Sequence, residues 1–245
     1  MAIISTPAIV LKTYDFRETS RIAVFFTRDQ GKVTGILKGI RKDPKKFGSS
    51  VENFSVNDIV YYQYRNSDIH LISHCDMRSF FYPIRQDFKK TMAASYVLEL
   101  VNLMMPIEAE NKNIYELMTC FFEDLQGIED VERLIRLFQI KALSFSGFRP
   151  HLDTCIACNK KVHGKAWFGL KEGGLICILC GERLHQTLHP ISPGTISTIL
   201  YVEKSPWKNC LRIHLTRNSR DELKYILNNF LVFHLGKKIK SAQYL

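Results

Sequence analysis

Two Cys-x-x-Cys hooks, Cys155/Cys158 and Cys177/Cys180, are the residues of this chain whose type and spacing point most directly to chemistry. Residues 159 to 176 separate the inner cysteines. Short hooks at that separation present four thiolates tetrahedrally to one Zn²⁺, whereas redox Cys-x-x-Cys pairs usually occur singly, after a strand in a βαβ unit. No such unit surrounds these hooks. Four protein thiolates close the coordination sphere and leave no position for water or substrate, so the expected cofactor is one structural zinc. His151 and His163 lie nearby, but four thiolates already complete the site. The remaining cysteines, Cys75, Cys120 and Cys210, sit in apolar stretches, where a free thiol usually serves as a small core residue.

No catalytic signature accompanies the hooks. The chain lacks the phosphate-loop, dinucleotide, zinc-protease and nucleophile-elbow patterns, and its Gly-Lys pairs lack the upstream glycine and following hydroxyl of a phosphate loop. A nuclease would need clustered carboxylates for Mg²⁺. The acidic residues Glu123, Asp124, Glu129, Asp130 and Glu132 instead gather around a helix junction, where a solvated turn is the default. We therefore expect no enzyme and name no catalytic residue.

Charge points to a polyanion. The 245 residues carry a formal net charge of +10, and a basic protein without an export signal most often meets a polyanion. Residues 1–82 contribute +4, 83–150 contribute −2, 151–200 contribute +2 and 201–245 contribute +6. The sharpest cluster is Lys32, Lys38, Arg41, Lys42, Lys45 and Lys46 against Asp43 alone. With Pro44 and Gly48 it reads as a loop whose cations reach phosphates while Phe47 offers a stacking face.

Two kinds of element must position these groups. Residues 8–14, 21–27, 32–38, 58–64 and 69–73 read as short strands, and the turns at 28–31 and 65–68 carry hairpin residues. Second and third strands should therefore pair, as should fourth and fifth. Five antiparallel strands in about eighty residues suggest an OB-fold barrel, with an SH3-like barrel or a sandwich fragment as alternatives. After Pro83 the apolar period becomes helical: residues 84–105 with Phe88, Met92, Tyr96, Leu100 and Leu103 on one face, then 114–125 and 131–145. Ser192-Pro193 should cap a helix running to about 202. Ser219 with Glu222 should form a capping box for a last helix over 220–235, ended by Gly236. The fold class is α+β: an N-terminal domain over 1–82, then a helical domain over 83–245 with the zinc module at about 150–185. The opening Met-Ala-Ile-Ile-Ser-Thr-Pro has no basic start and is broken by Pro7, so it is not expected to be a signal peptide, and no apolar run is long enough to span a membrane.

Taken in order, these features resemble the RecO recombination mediators over essentially the whole chain. The opening Ala8-Ile-Val-Leu11, Glu18-Thr-Ser20, Phe26-Thr27, Gly31-Lys-Val33 and Lys38-Gly39 resemble the N-terminal barrel of that family. Gly147-Phe-Arg-Pro150, Leu152-Asp153 and Gly173-Gly174 resemble its zinc-bearing branch, and Phe233-His-Leu-Gly236, Ile239-Lys-Ser241 and Leu245 its terminal signature. Asn159 stands where many members have glycine, and residues 42–46 replace a commoner Arg/Ser-rich loop while keeping its charge. The resemblance implies an OB domain that binds single- and double-stranded DNA, with Arg21, Lys32, Lys38, Arg41, Lys42, Lys45, Lys46, Phe47 and Arg65 as the candidate contacts. It also implies strand annealing without turnover and work with RecR. Further implications are contact with the tail of single-strand-binding protein, an indirect effect on RecA, and a place in the bacterial cytoplasm with the nucleoid. A zinc-ribbon nucleic-acid-binding regulatory factor is the alternative that shares the hooks and the charge.

Overall fold

In a computed structural model of the chain, every residue is described except 1, 44–46, 48–50 and 185–187. Lys45 and Lys46 therefore lie outside the described residues. The first elements are β1 (Ala2–Phe16), β2 (Ser20–Thr27), β3 (Gly31–Leu37), β4 (Val56–Gln63) and β5 (Ile69–Ser79), which form a closed barrel in the order β1-β2-β3-β5-β4. The two expected hairpins are present as antiparallel pairs, β2 with β3 and β4 with β5. Closure comes from β1 pairing with β4 along Ala2 to Ile9, and from a short parallel contact of β3 with β5. This is the five-stranded arrangement of an OB-fold.

Alternation explains the core. Ala8, Val10, Ala23, Phe25, Val33, Leu37, Ile59, Tyr61, Ile72 and Cys75 point inward and are buried together. Period-2 alternation sends their sequence neighbours outward. Two glycines are dictated by space. A Cβ at Gly35 would stand 2.3 Å from Ile72 Cδ1, and one at Gly31, whose φ is +64°, would stand 2.3 Å from the Ala109 carbonyl oxygen. Gly31 also closes the β2–β3 turn, where Thr27 Oγ1 donates to its carbonyl at 2.9 Å.

Helices follow the barrel: α1 (Tyr82–Gln86), α2 (Phe88–Met104) and α3 (Lys112–Leu125). The single helix expected over 84–105 is broken because Asp87 leaves the helical conformation, and its carboxylate accepts the Lys90 N–H at 3.1 Å to cap α2. Phe88 consequently begins a new helix and is 69% exposed, not part of a buried face. The stripe expected on α2 is replaced by burial on most sides, through Ala93, Ala94, Val97, Leu98 and Val101 as well as Tyr96 and Leu100. Residues 1–129 and the C-terminal segment Ile239–Leu245 form one compact unit. In that segment a 3-10 turn, Lys240–Tyr244, is held by Glu99, whose carboxylate accepts from Lys240 N, Ser241 N and Ser241 Oγ at 2.8, 2.9 and 2.6 Å. Burial opposes ionisation of Glu99, but these donors outweigh it and hold the carboxyl below its ordinary range.

The second compact unit is Asp130–Lys238. It contains α4 (Val131–Phe145), β6 (Ala166–Gly169), β7 (Gly174–Cys177), α5 (Ile178–Gly181), β8 (His189–Ile191), α6 (Pro193–Lys204), α7 (Trp207–Cys210) and α8 (Arg217–Leu235). Asp130 caps α4 by accepting from Arg133 N at 3.1 Å and also takes both terminal nitrogens of Arg220, at 2.9 and 2.5 Å. Ser192 caps α6 as its Ser-Pro sequence suggests. The capping box expected at Ser219 is corrected: Thr216 is the cap, accepting from Ser219 N at 3.2 Å, and α8 starts at Arg217. Glu222 turns to the α6 cap instead, where it accepts from Ser192 N at 3.0 Å and Ser192 Oγ at 2.8 Å. Gly236 ends α8 in the left-handed conformation, with φ 63°.

Candidate metal centre and nucleic-acid interface

The hooks are brought together by a three-stranded sheet in the order β7-β6-β8, which the sequence pattern did not announce because its strands are three or four residues long. The β6–β7 hairpin ends in Cys177 and passes directly into the short α5 that carries Cys180. The first hook is tied to the same sheet by Ile156 N, which donates to Leu175 O, and is closed on itself by Cys155 N, which donates to Lys160 O, each at 2.8 Å. Asn159 takes the left-handed turn that the hook requires, at φ 57°, with its N–H on Cys155 O at 2.8 Å. The side chain replaces glycine without opening the turn, since Asn tolerates this region better than most residues.

The ligand atoms of Cys155, Cys158, Cys177 and Cys180 all lie within 4.8 Å of one another. Cys158 Sγ and Cys177 Sγ are 3.9 Å apart, against S···S edges of about 3.8 Å for a tetrahedron with metal–sulfur bonds of about 2.3 Å. The thiols therefore fit a metal ion. Burial opposes ionisation of Cys155, yet the N–H groups of Cys177, Cys158 and Ala157 outweigh it and hold that thiol at about 6. Cys180 is pushed up to about 12 by its hydrogen bonds with Cys177 and Cys158. Thiol ligands bind a metal as thiolates, so binding of a cation and ionisation of its ligands are coupled. His151 stands outside the group; its Nε2 is 2.8 Å from Thr154 Oγ1, and its backbone pairs with Gly173 and Leu175. Among the described residues this is the one group of three or more His, Cys, Asp or Glu side chains placed to hold a metal.

The candidate DNA contacts divide. Arg21 and Arg41 come together on Asp15, with their Nε atoms 3.2 and 3.6 Å from its two oxygens, and Arg41 Nη1 also donates to Arg17 O at 3.0 Å. Asp15 is exposed, so these are surface pairs worth about 0–1 kcal/mol, easily exchanged for a phosphate. Lys38, Lys42 and Arg65 are exposed, the first two beyond β3 and the last on the β4–β5 turn. One expectation is corrected. Phe47 is 2% exposed and packs with Ile40 and Val51 in the barrel cluster, because a lone aromatic gains more from burial than from a solvated loop. Lys32 sends its ammonium to Asn102 O at 2.8 Å, and burial lowers its pKa. Lys12, Tyr14 and Phe16 are also exposed on β1.

A family model described as recombination protein O, N terminal, matches residues 1–81, and one described as recombination protein O, C terminal, matches 85–243. The chain belongs to the RecO family. Its relatives include the DNA repair protein RecO of Syntrophus aciditrophicus, 30% identical over 243 residues, covering 98% of this chain and 94% of the relative. That of Desulfatibacillum aliphaticivorans is 30% identical over 248 residues, covering 99% and 96%. That of Caldicellulosiruptor saccharolyticus is 28% identical over 240 residues, covering 98% and 96%. RecO membership brings a role in DNA repair and recombination. The RecO family models meet between residues 81 and 85, while the compact units divide at 129/130. Among the described residues no helix is long and apolar enough to cross a membrane.

Proposed function

We propose that this chain is a recombination mediator without enzymatic turnover. It binds single- and double-stranded DNA, anneals complementary strands and, with RecR, helps load RecA onto DNA coated with single-strand-binding protein in the bacterial cytoplasm. The observation that carries the reading is the match of both RecO family models across the chain. Charge physics supports it: a barrel bearing exposed Lys38, Arg41, Lys42 and Arg65 screens the phosphates of two strands held close, so they repel one another less as they pair. Arg21, Lys45 and Lys46 join the proposed contacts. The tail of single-strand-binding protein is a further proposed partner.

We assign one Zn²⁺ to the cysteine site, held by Cys155, Cys158, Cys177 and Cys180. A closed four-thiolate sphere supplies no open coordination position, so the ion would fix the two hooks relative to the sheet.

The test is annealing of complementary oligonucleotides coated with single-strand-binding protein, without nucleotide, across a salt titration. Acceleration that fades with salt is expected. Replacing Arg41, Lys42, Lys45 and Lys46 together should flatten the slope of log K against log salt on a single strand by about 3, at roughly 0.7 per phosphate contact. Tight binding to one duplex sequence without annealing would sink the mediator reading in favour of a zinc-ribbon regulator.

A further inference from the structure

The turns that carry the cysteines hold apolar residues that the fold does not use. Between the paired cysteines stand Ile156 and Ala157 in the first hook and Ile178 and Leu179 in the second, and all four are exposed. Leu179 is 72% and Ile178 45% exposed. The hooks share one place, because their four sulfurs lie within 4.8 Å of one another and Ile156 N is bonded to Leu175 O, three residues before Ile178. The lobe has its own buried apolar set in Ala166, Phe168, Leu175 and Ile176. The tip is therefore surplus to that core. Single exposed aliphatic residues are ordinary, but four gathered over two adjoining turns mark a contact surface.

The tip is also firmly backed. Ile178 and Leu179 open α5, and its last residue, Gly181, lies against Trp167, where an added Cβ would stand 2.4 Å from Trp167 Cδ1. Backbone pairing puts exposed cations beside the hooks. Lys160 O accepts from Cys155 N, Arg183 N donates to Cys180 O at 3.2 Å, and Lys165 precedes Ala166, the strand partner of Cys177. Their acidic neighbours in sequence are Asp153, paired with Arg149 at 3.3 Å, and Glu182.

A backed aliphatic point flanked by cations fits a polyanion with apolar surface inside it, and the RecO role in repair and recombination singles out DNA. Aliphatic side chains offer no ring for a base to stack on, so they act by entering between bases, as Leu and Ile wedges do where proteins kink a duplex. Parting two stacked bases costs free energy, and the cost is least where the stack is already broken.

We propose that Ile178 and Leu179 form a wedge for an interrupted base stack, a nick or a duplex end at a single strand, with Lys160, Lys161 and Arg183 on the flanking phosphates. The inference rests on the reading of the chain as DNA-binding, and it adds a site in the second compact unit that selects the shape of the DNA.

The experiment titrates the full chain into duplexes carrying 2-aminopurine beside a nick, beside a single-strand junction, or within a continuous stretch. Fluorescence should rise at the nick, the junction or both, and not in the continuous duplex. The interrupted DNA that responds should be bound at least about five-fold more tightly than the continuous one. Leu179→Ser and Ile178→Ser should abolish the rise and the preference with salt slope and metal content unchanged, and Leu179→Met should keep both. Replacing Lys160, Lys161 and Arg183 with Gln should flatten the slope of log K against log salt on the responding DNA by about 2 to 3, at roughly 0.9 per phosphate contact. No brightening while the unaltered chain is bound to the interrupted DNAs would overturn the proposal, however the variants fold. Brightening that survives both serine substitutions would do the same, as would loss of a protein partner with the fluorescence response intact. If the unaltered chain binds none of these DNAs, the DNA-binding reading beneath the proposal fails first.

Discussion

In the barrel, five strands close on one another so that every edge finds a partner, and the cluster around Phe25, Ile59 and Tyr61 fills the interior. In the cysteine lobe, three strands of four, four and three residues form an open sheet whose β7 edge pairs with His151 and Ile156, with Phe168, Leu175 and Ile176 buried and the four sulfurs gathered where β7 ends. Strands that short are marginal without further support. One small β-structure is held by a large buried apolar cluster, and the other joins a smaller buried apolar set to a donor group that fits a cation. The contrast teaches that similar secondary structure can answer to different perturbations.

The largest expected effect therefore belongs to the lobe. Cys155→Ser, or strong chelation, should remove much of a metal-binding term of about 10 kcal/mol. Hydrogen exchange should report lost protection over residues 155–177 while barrel amides stay protected. If the barrel opens together with the lobe, the contrast fails, and metal analysis showing no zinc in folded protein would end the assignment of the ion.

Phe25→Ala reverses the experiment. Removing this fully buried ring should destabilise by about 3–5 kcal/mol in denaturant unfolding, with the metal content of the folded protein unchanged.

A smaller effect tests whether the helices around the lobe depend on ordinary electrostatics. Asp130 is held below the usual carboxylate range, first by its hydrogen bonds from Arg220 and then by the Arg133 N–H, against the opposing effect of burial. Asp130→Ala should cost about 1–2 kcal/mol, chiefly the lost helix cap. Because the folded pKa is depressed, this contribution is fully present above the unfolded carboxylate pKa of about 4 and is lost as pH falls through the folded value. The stability gap between Asp130→Ala and the unaltered chain should accordingly narrow only below about pH 4. A gap independent of pH would detach it from the carboxylate.

The smallest expected effect is a gain. Asn159→Gly relieves the left-handed strain of the first hook but adds freedom to the unfolded chain, so stability should rise by no more than about 0.5 kcal/mol. Thermal unfolding of the metal-loaded protein would measure it.

Much of this organisation was legible in the sequence. Turn residues at 28–31 and 65–68 fixed the strand pairs, the spacing of the hooks fixed the thiolate group, and Ser192-Pro193 fixed a helix start. The misses share a cause: local patterns report what a residue prefers, not what reaches it across the fold. Asp87 sits inside an unbroken apolar period, so nothing nearby signals that it stops one helix to cap another. Phe47 reads as part of a charged loop, yet it is drawn into the barrel core. Ser219-x-x-Glu222 fits the capping-box spacing, but Thr216 takes the cap and Glu222 serves a different helix. The lobe strands are too short for any period to emerge.

The return of Ile239–Leu245 to the first unit has a consequence for biosynthesis. These residues are translated after everything else in the two units, so Glu99 must wait on the ribosome through more than a hundred intervening residues for the donors at Lys240 and Ser241. The barrel can close early, but the helix that follows it acquires its last partners only when synthesis reaches this point. An order is thus built into the chain: the second unit is made while the first is still unfinished.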